Sequence, residues 1–157
     1  MGTIRGERTV EIDAPIERVF AIAADIDHAP EWQPSLTDVD VLERDGDRRA
    51  TSVDTESDAS VRTIRSRMTF AYDEPTSITW EQDRGDVKAM NGWWRLEDLG
   101  DGRTRATYGL EVDPGRMLGM LLRGPVEGKV RDYLVGGAAE GLKARAEAGS
   151  ADFSQPV

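Results

Sequence analysis

Apolar residues recur along the chain with two periods, one typical of β-strands and one typical of an α-helix. From Leu36 to Val112 apolar and polar residues alternate, and this period of two predicts strands that turn one face towards a core. Asp45-Gly46 and Asp101-Gly102 are typical hairpin turns within this region. The predicted strands cover residues 7–13, a segment beginning at Leu36, and residues 48–56, 61–72, 77–82, 87–97 and 104–112.

Helical periodicity is found on both sides of this strand region. An apolar stripe beginning at Ile16 predicts a short helix that ends near Asp25, and one further turn is predicted over residues 29–32. A long helical stretch follows over residues 117–147, with a break at Gly124 and Pro125. Its apolar stripe is Leu118, Leu122, Val126, Val130, Leu134, Gly137, Gly141 and Ala144. The small residues at its end either pack closely on a sheet or leave room for a ligand.

The order of these elements indicates the fold class. The chain is predicted to contain, in order, one strand, two short helices, six strands and a long C-terminal helix. This order predicts an α+β fold, in which an antiparallel sheet has one face covered by that helix. Six consecutive strands joined by short turns are expected to curl. We expect a single domain over residues 1–147 and a flexible C-terminal tail over residues 148–157.

Composition narrows the classes of partner. The 30 acidic and 20 basic residues give a formal charge of -10, which argues against nucleic acid or an anionic membrane as partner. The absence of cysteine excludes disulfides and thiolate metal sites. The N-terminal sequence MGTIRGERTV lacks the apolar core of a signal peptide, and no apolar run approaches the ~20 residues of a membrane span. We expect a cytoplasmic protein without integral membrane association, as a monomer or homodimer.

Three segments of the chain, together with their order, resemble the SRPBCC superfamily, which comprises the START and pollen-allergen-like proteins. The resemblance is to its polyketide cyclase/dehydrase branch in particular. The segments are VEIDAPIERVFAIAADIDHAPEWQP, YDEPTSITWE and GWWRLEDLGDGRTRATYGLEVD, followed by the C-terminal helix. The resemblance implies the helix-grip fold, a seven-stranded antiparallel sheet wrapped around that helix and enclosing a cavity for a hydrophobic ligand. The superfamily includes ligand carriers, lipid-transfer domains, coenzyme Q-binding proteins and aromatase/cyclases, and a fold does not choose among them.

The sheet face with more large apolar residues is interpreted as the concave one. This face supplies most of the candidate ligand-binding residues, the long helix supplies three more, and Trp32 is placed at the cavity rim. The full set is Trp32, Ile64, Ser66, Met68, Phe70, Tyr72, Trp80, Met90, Trp94, Tyr108, Val130, Leu134 and Gly137. Its flat aromatic rings favour a ring-containing or isoprenoid ligand. Alternatively, the same residues fill an ordinary core, and Trp32 only joins helix to sheet.

Catalytic candidates follow from the resemblance. In the aromatase/cyclase branch a pocket arginine and hydroxyl groups hold a polyketide chain and polarise its carbonyls. Arg62 matches that arginine by strand and parity, and Tyr108, Tyr72 and Ser66 are candidate hydrogen-bond donors. The alternative for Arg62 is an ion pair at the cavity mouth, or exposure near a strand end.

Other chemistry has little support in the sequence. The single histidine, His28, lies between acidic residues and prolines, where a surface or capping role outweighs that of a general base. One histidine and no cysteine disfavour a metal site, and no glycine-rich phosphate loop is present. We therefore expect no metal and no cofactor.

Two main functions remain open at this point. The first is a carrier or sensor that binds a polyketide, lipid or quinone-like molecule without turning it over. The second is a polyketide cyclase or dehydratase that shapes its substrate and donates hydrogen bonds to a developing enolate. A weaker third is a chaperone-like module that uses Trp93 and residues 117–120 as an apolar surface.

Overall fold

The structure, a computed structural model, describes residues 3–59, 62–121 and 124–154. These residues form strands and helices in the predicted order. The strands are β1 (Ile4–Ile12), β2 (Leu36–Arg44), β3 (Ala50–Asp58), β4 (Thr63–Asp73), β5 (Ser77–Gly85), β6 (Ala89–Gly100) and β7 (Arg103–Asp113). The helices are α1 (Ile16–Ala24), a 3-10 helix (Ile26–Glu31), α2 (Gly115–Leu121) and α3 (Pro125–Ser154). The predicted α+β helix-grip fold is confirmed.

The strands form one antiparallel sheet in the order β1-β7-β6-β5-β4-β3-β2. From β2 to β7 the chain meanders, and β1 pairs with β7 at the far edge. The consecutive strands β1 and β2 are thus at opposite edges. The connection between them contains α1, which contacts β6, β7 and α3, and the 3-10 helix, which contacts β2.

The turn between β2 and β3 shows how local chemistry fixes the strand register. The Asp45 carboxylate accepts hydrogen bonds from the backbone N–H groups of Asp47 at 2.8 Å and Arg49 at 3.0 Å. Between β6 and β7, Asp101 and Gly102 have positive φ angles of 55° and 72°, which an aspartate and a glycine tolerate better than most residues. Both predicted hairpin turns are present.

The buried face of α3 differs from the predicted stripe. Val130 is buried as expected, but Ala144 is exposed and Val126 is 36% exposed. The buried residues from 135 onward are Val135, Gly136, Ala138, Ala139, Leu142 and Ala146. Both stripes advance by three and four residues, but the observed one lies one or two residues later in this half of the helix, on the side that packs against β1 and α1. Leu122 lies outside the described residues.

The C-terminal part of the chain continues as helix. α3 extends to Ser154, so residues 148–154 of the predicted tail are helical, and their mobility stays a prediction. Among the described helices, none combines the length and apolar character needed to cross a bilayer. The cytoplasmic location also stays a prediction.

Candidate functional site

A cavity of about 130 Å³ lies between the concave face of the sheet, the 3-10 helix and α3. Strands β3 to β7 supply much of its wall. Trp32, directly after the 3-10 helix, and Val130 and Leu134 of α3 complete the lining. An engineered apolar cavity of about 150 Å³ in another protein binds benzene, so this volume corresponds to about one aromatic ring.

Five aromatic side chains follow one another along the cavity. The ring centroids of Phe70 and Trp80 are 5.7 Å apart, and those of Trp80 and Tyr108 are 5.6 Å apart. Tyr108 makes an edge-on contact with Trp94 at 4.7 Å, and Trp94 lies 6.2 Å from Trp32. These distances are in the range where aromatic pairs attract each other. The cavity therefore has a continuous aromatic wall that runs from β4 to the end of the 3-10 helix.

Cross-strand pairing produces this aromatic wall. Phe70 is the direct partner of Trp80, and Trp94 is the direct partner of Tyr108. Trp80 itself pairs with Gly92, and a side-chain carbon at residue 92 would overlap the indole ring. Because residue 92 has no side chain, the Trp80 ring lies across β6 and reaches Tyr108 on β7.

The cavity is uncharged along its described lining, which contains no Asp, Glu, Lys, Arg or His. Tyr108 is its one ionisable group within those residues. Burial raises the pKa of the Tyr108 hydroxyl, and a hydrogen bond from the Gln33 side chain opposes this effect in part. The phenol is therefore protonated throughout the neutral pH range and is available as a hydrogen-bonding group.

Most of the predicted ligand-binding residues lie at this cavity. Those that line it are Trp32, Ile64, Met68, Phe70, Trp80, Met90, Trp94, Tyr108, Val130 and Leu134. They come from the four consecutive strands β4 to β7, from α3 and from the position after the 3-10 helix, and the curl of the sheet brings them together. Their contact with a ligand stays a prediction.

Ser66 and Tyr72 do not line the cavity, although they share the parity of residues that do. Ser66 donates a 2.9 Å hydrogen bond to the side chain of Gln82, whose amide donates to the carbonyl of Val87. The register shift between Arg67 and Met68 leaves Asp83 of β5 unpaired, so the alternation of β4 continues and Ser66 is buried on the same face as Ile64 and Met68. Tyr72 donates to the Ala50 carbonyl at 2.6 Å. Both hydroxyls thus have partners within the protein.

Gly137 does not line the cavity either. A side-chain carbon there would meet the ring of Pro34 at 3.6 Å, an ordinary packing distance. One turn further, a side-chain carbon at Gly141 would overlap the carbonyl oxygen of Trp32. Gly141 therefore lets α3 approach the segment after the 3-10 helix, and close packing explains it better than room for a ligand.

Arg62 lies outside the cavity, contrary to its expected position. Strand β4 begins at Thr63, and Arg62 is exposed in the bend before it, with its backbone carbonyl accepting a hydrogen bond from Ala59. The prediction that Arg62 faces the cavity assumed that Arg62 belongs to the strand, where side chains alternate between the two faces. Because Arg62 precedes β4, that alternation does not determine where its side chain points. The exposed position near a strand end, which the sequence left as the alternative, is the observed one.

Sequence reasoning missed the polar residues of the lining. The polar residues that line the cavity include Gln33, Ser35, Thr55 and Ser57, and the apolar Val39 lines it as well. Thr55 and Ser57 alternate with polar neighbours, which made β3 resemble an exposed edge strand. Gln33 and Ser35 lie between the 3-10 helix and β2, where no periodicity marks a buried side chain. The alternation of Val53, Thr55 and Ser57 was the only signal available.

The single histidine is not part of the cavity lining. His28 forms a 2.7 Å pair with the Asp25 carboxylate, and both side chains are largely exposed. In the described part of the chain no three His, Cys, Asp or Glu side chains are grouped as metal ligands would be.

Trp93 is half-buried on the opposite face of the sheet, next to the guanidinium groups of Arg5 and Arg95.

Solved structures from two different organisms share this architecture. A START superfamily protein from Mycobacterium smegmatis superposes with a TM-score of 0.80 at 21% identity, over 94% of this chain and 99% of that one. An aromatase/cyclase from a Streptomyces species superposes with a TM-score of 0.78 at 18% identity, over 99% and 100% of the two chains. At these identities the likeness shows the fold alone.

Sequence comparisons give the family. The granaticin polyketide synthase bifunctional cyclase/dehydratase of Streptomyces violaceoruber is 31% identical over 101 residues, which are 64% of this chain. This chain matches 31% of that relative's length. The family model described as polyketide cyclase / dehydrase and lipid transport matches residues 3–147. Because that match covers nearly the whole chain and agrees with the fold, the protein belongs to the polyketide cyclase/dehydrase and lipid transport family.

Proposed function

We propose that this protein binds a small hydrophobic molecule in the cavity between the sheet and α3. The observation that carries the proposal is the aromatic wall formed by Phe70, Trp80, Tyr108, Trp94 and Trp32 along a cavity without charged lining. Apolar pockets with few polar groups are typical of small-molecule sites. The function is that of a carrier or sensor, since the described lining has no charged acid-base pair and no carboxylate, imidazole or amine that would activate its hydroxyl groups.

The size of the cavity limits what it binds without rearrangement. Sites for drug-sized ligands have volumes of roughly 300–1,000 Å³, whereas this cavity has about 130 Å³. A single aromatic ring or a short isoprenoid unit fits. A long lipid, a quinone with its tail or a full polyketide chain requires the walls to separate. Leu118 of α2 and Leu134 of α3 line the cavity, so displacement of these two helices would enlarge it.

An order-of-magnitude affinity follows from buried area. A ring that buries ~150–200 Å² of apolar surface gains roughly 4–5 kcal/mol before the costs of association. With no cost of association subtracted, such a gain corresponds to a dissociation constant of roughly 0.2–1 mM, which is the tightest binding that this burial alone supports. A natural ligand with more buried surface and a hydrogen bond would bind more tightly.

Calorimetric titration with ethylbenzene tests the proposal. Ala29 is 3% exposed and lines the cavity, so Ala29→Leu fills part of the space that the ring needs. We expect saturable 1:1 binding to the natural protein and at least tenfold weaker binding to Ala29→Leu. The matched control is Ala144→Leu on the exposed face of α3, which should bind as the natural protein does. Absence of saturable binding, or binding that Ala29→Leu leaves intact, would overturn the proposal.

A second candidate function is cyclisation or dehydration of a polyketide-like chain. The observation that favours it is the protonated Tyr108 hydroxyl inside the cavity, which could donate a hydrogen bond to a developing enolate oxygen. The name of the granaticin relative points in the same direction. Incubation with a linear poly-β-ketone thioester, followed by mass spectrometry of the products, separates the two functions. A cyclised product whose yield falls on Tyr108→Phe supports an enzyme, and recovery of the unchanged chain supports a carrier.

A further inference from the structure

Strands β5 and β6 separate at one end of the sheet. Their pairing with each other ends at Glu81 and Asn91, although β5 continues to Gly85 and β6 begins at Ala89. The continuing part of β5 instead pairs with β4, and the first residues of β6 pair with β7. Beyond Glu81 and Asn91 the two strands therefore leave a gap in the sheet.

Residues 86–88, which we call the strap, span this gap. The backbone N–H of Asp86 donates a 2.9 Å hydrogen bond to a carbonyl of β4, and that of Lys88 donates one of 2.9 Å to a carbonyl of β7. Val87 lies between them, is 5% exposed and lines the cavity. The strap is thus attached to both halves of the sheet and places one apolar side chain in the gap.

The Gln82 side chain holds the strap from the side of β5. Its amide donates a hydrogen bond to the Val87 carbonyl at 3.0 Å, and its oxygen accepts one from Ser66 at 2.9 Å. In a regular hairpin, backbone hydrogen bonds between the strands would close this end. Here a side-chain hydrogen bond takes their place, and a single bond of this kind adds little net free energy to the closed state.

Val87 and Met90 lie between the cavity and the solvent at this gap. Both line the cavity, and both also line a surface groove formed by residues 81–85 and 87–91. At the same end of the sheet, β3 stays paired with β4, and β6 with β7, up to the ends of the strands. A movement of the strap therefore opens the cavity without breaking the hydrogen-bond ladder of the sheet.

We propose that this gap is the portal through which ligands enter and leave the cavity, closed by the Val87 side chain and held shut by the Gln82 hydrogen bond. The inference rests on the proposed binding function and adds the route of exchange. When the hydrogen bond breaks, the Val87 side chain moves outward and leaves an opening beside Met90. Binding that requires such an opening is slower than free encounter.

Exchange of fluorobenzene, followed by fluorine NMR, tests the portal. The measured dissociation rate and affinity together give the association rate constant. Gln82→Met removes the donor to the Val87 carbonyl. We expect both rate constants to rise about threefold or more while the dissociation constant stays within about twofold, because the bond holds the portal and not the ligand. A purely structural role for Gln82 would change affinity or stability without raising both rates together.

Val87→Ala reduces the side chain that closes the portal, and its association rate constant should rise about fivefold or more. The matched control is Val53→Ala, which removes the same atoms from a fully buried position of β3 that does not line the cavity. Its association rate constant should stay within about twofold of that of the natural protein. If Gln82→Met does not fold, Val87→Ala and its control decide the question.

Unchanged association in both portal variants, or an equal rise in Val53→Ala, would overturn the portal and leave the proposed function intact. Leu118 of α2 also lines the cavity. Faster association in Leu118→Ala but not in Val87→Ala would place the entrance at α2 and would equally overturn the inference. Absence of saturable fluorobenzene binding to the natural protein would overturn both the portal and the proposed function.

Discussion

The indole ring of Trp80 on β5 covers Gly92, its direct partner on β6, so that no side chain fits at residue 92. This pairing lets the indole reach Tyr108 and shapes the wall of the cavity. Trp93 covers Gly109 in the same way, with Trp93 the direct partner of Gly109. Two tryptophan–glycine pairs on adjacent strands thus stabilise the middle of the sheet.

Gly92→Ala should displace the Trp80 ring. Overpacking at a crowded position typically costs ~1–3 kcal/mol of unfolding free energy, which urea denaturation measures. We also expect weaker ethylbenzene binding, because the displaced ring enters the cavity. Gly46→Ala is the control, since no atom lies within 4 Å of its would-be side chain, and its unfolding free energy should change by less than about 0.5 kcal/mol. Equal stability of the two variants would show that the Trp80 ring does not constrain residue 92.

Gly141→Ala should destabilise the protein although alanine is the better helix former. The added methyl group overlaps the Trp32 carbonyl oxygen and pushes α3 away from the segment after the 3-10 helix. We expect a loss of ~1–3 kcal/mol in thermal or urea unfolding. Gly128→Ala in the same helix meets only the Arg131 side chain, at 3.6 Å, and should gain up to ~1 kcal/mol from helix propensity. Changes of the same sign in both variants would contradict this account.

Alkaline pH should reduce stability through Tyr108. Its pKa is raised in the folded state by burial, so ionisation above pH ~10 is easier in the unfolded chain. The contribution of Tyr108 is complete below that pH and falls by ~1.4 kcal/mol per pH unit above it. Urea denaturation between pH 9 and 11 should therefore show a steeper decline for the natural protein than for Tyr108→Phe. Parallel declines would indicate that the Tyr108 hydroxyl is solvated.

Arg62→Ala should leave ligand binding unchanged. The Arg62 side chain is exposed in the bend before β4 and does not contact the cavity. Titration with ethylbenzene should give the same dissociation constant within twofold for the variant and the natural protein. A sharp loss of affinity or of cyclisation activity would restore Arg62 to the site.

The fold was predictable because its signals are repeated along the chain. Alternating residues, two aspartate–glycine turns and a late helical stripe each specify an element, and an error of a few residues at a strand end leaves the topology unchanged. The aromatic part of the cavity was predictable for the same reason. Phe70, Trp80 and Trp94 lie well inside their strands, where parity is reliable.

The errors arose where parity or periodicity was extended too far. Arg62 precedes β4, and Gly137 belongs to the side of α3 that faces Pro34. The parity of Ser66 is as predicted, but its hydroxyl donates to Gln82. Gln33 carried no periodic signal, because its position depends on how the connection between the 3-10 helix and β2 folds over the sheet. Such contacts are set by tertiary packing and not by local sequence.

A crystal structure of the protein soaked with iodobenzene tests the central claim most directly, because the anomalous signal of iodine locates the ring. We expect a strong peak inside the cavity, within van der Waals distance of Trp80, Trp94 or Tyr108. Peaks confined to the surface at saturating iodobenzene, or an interior filled by side chains, would contradict the assignment of this cavity as a ligand site.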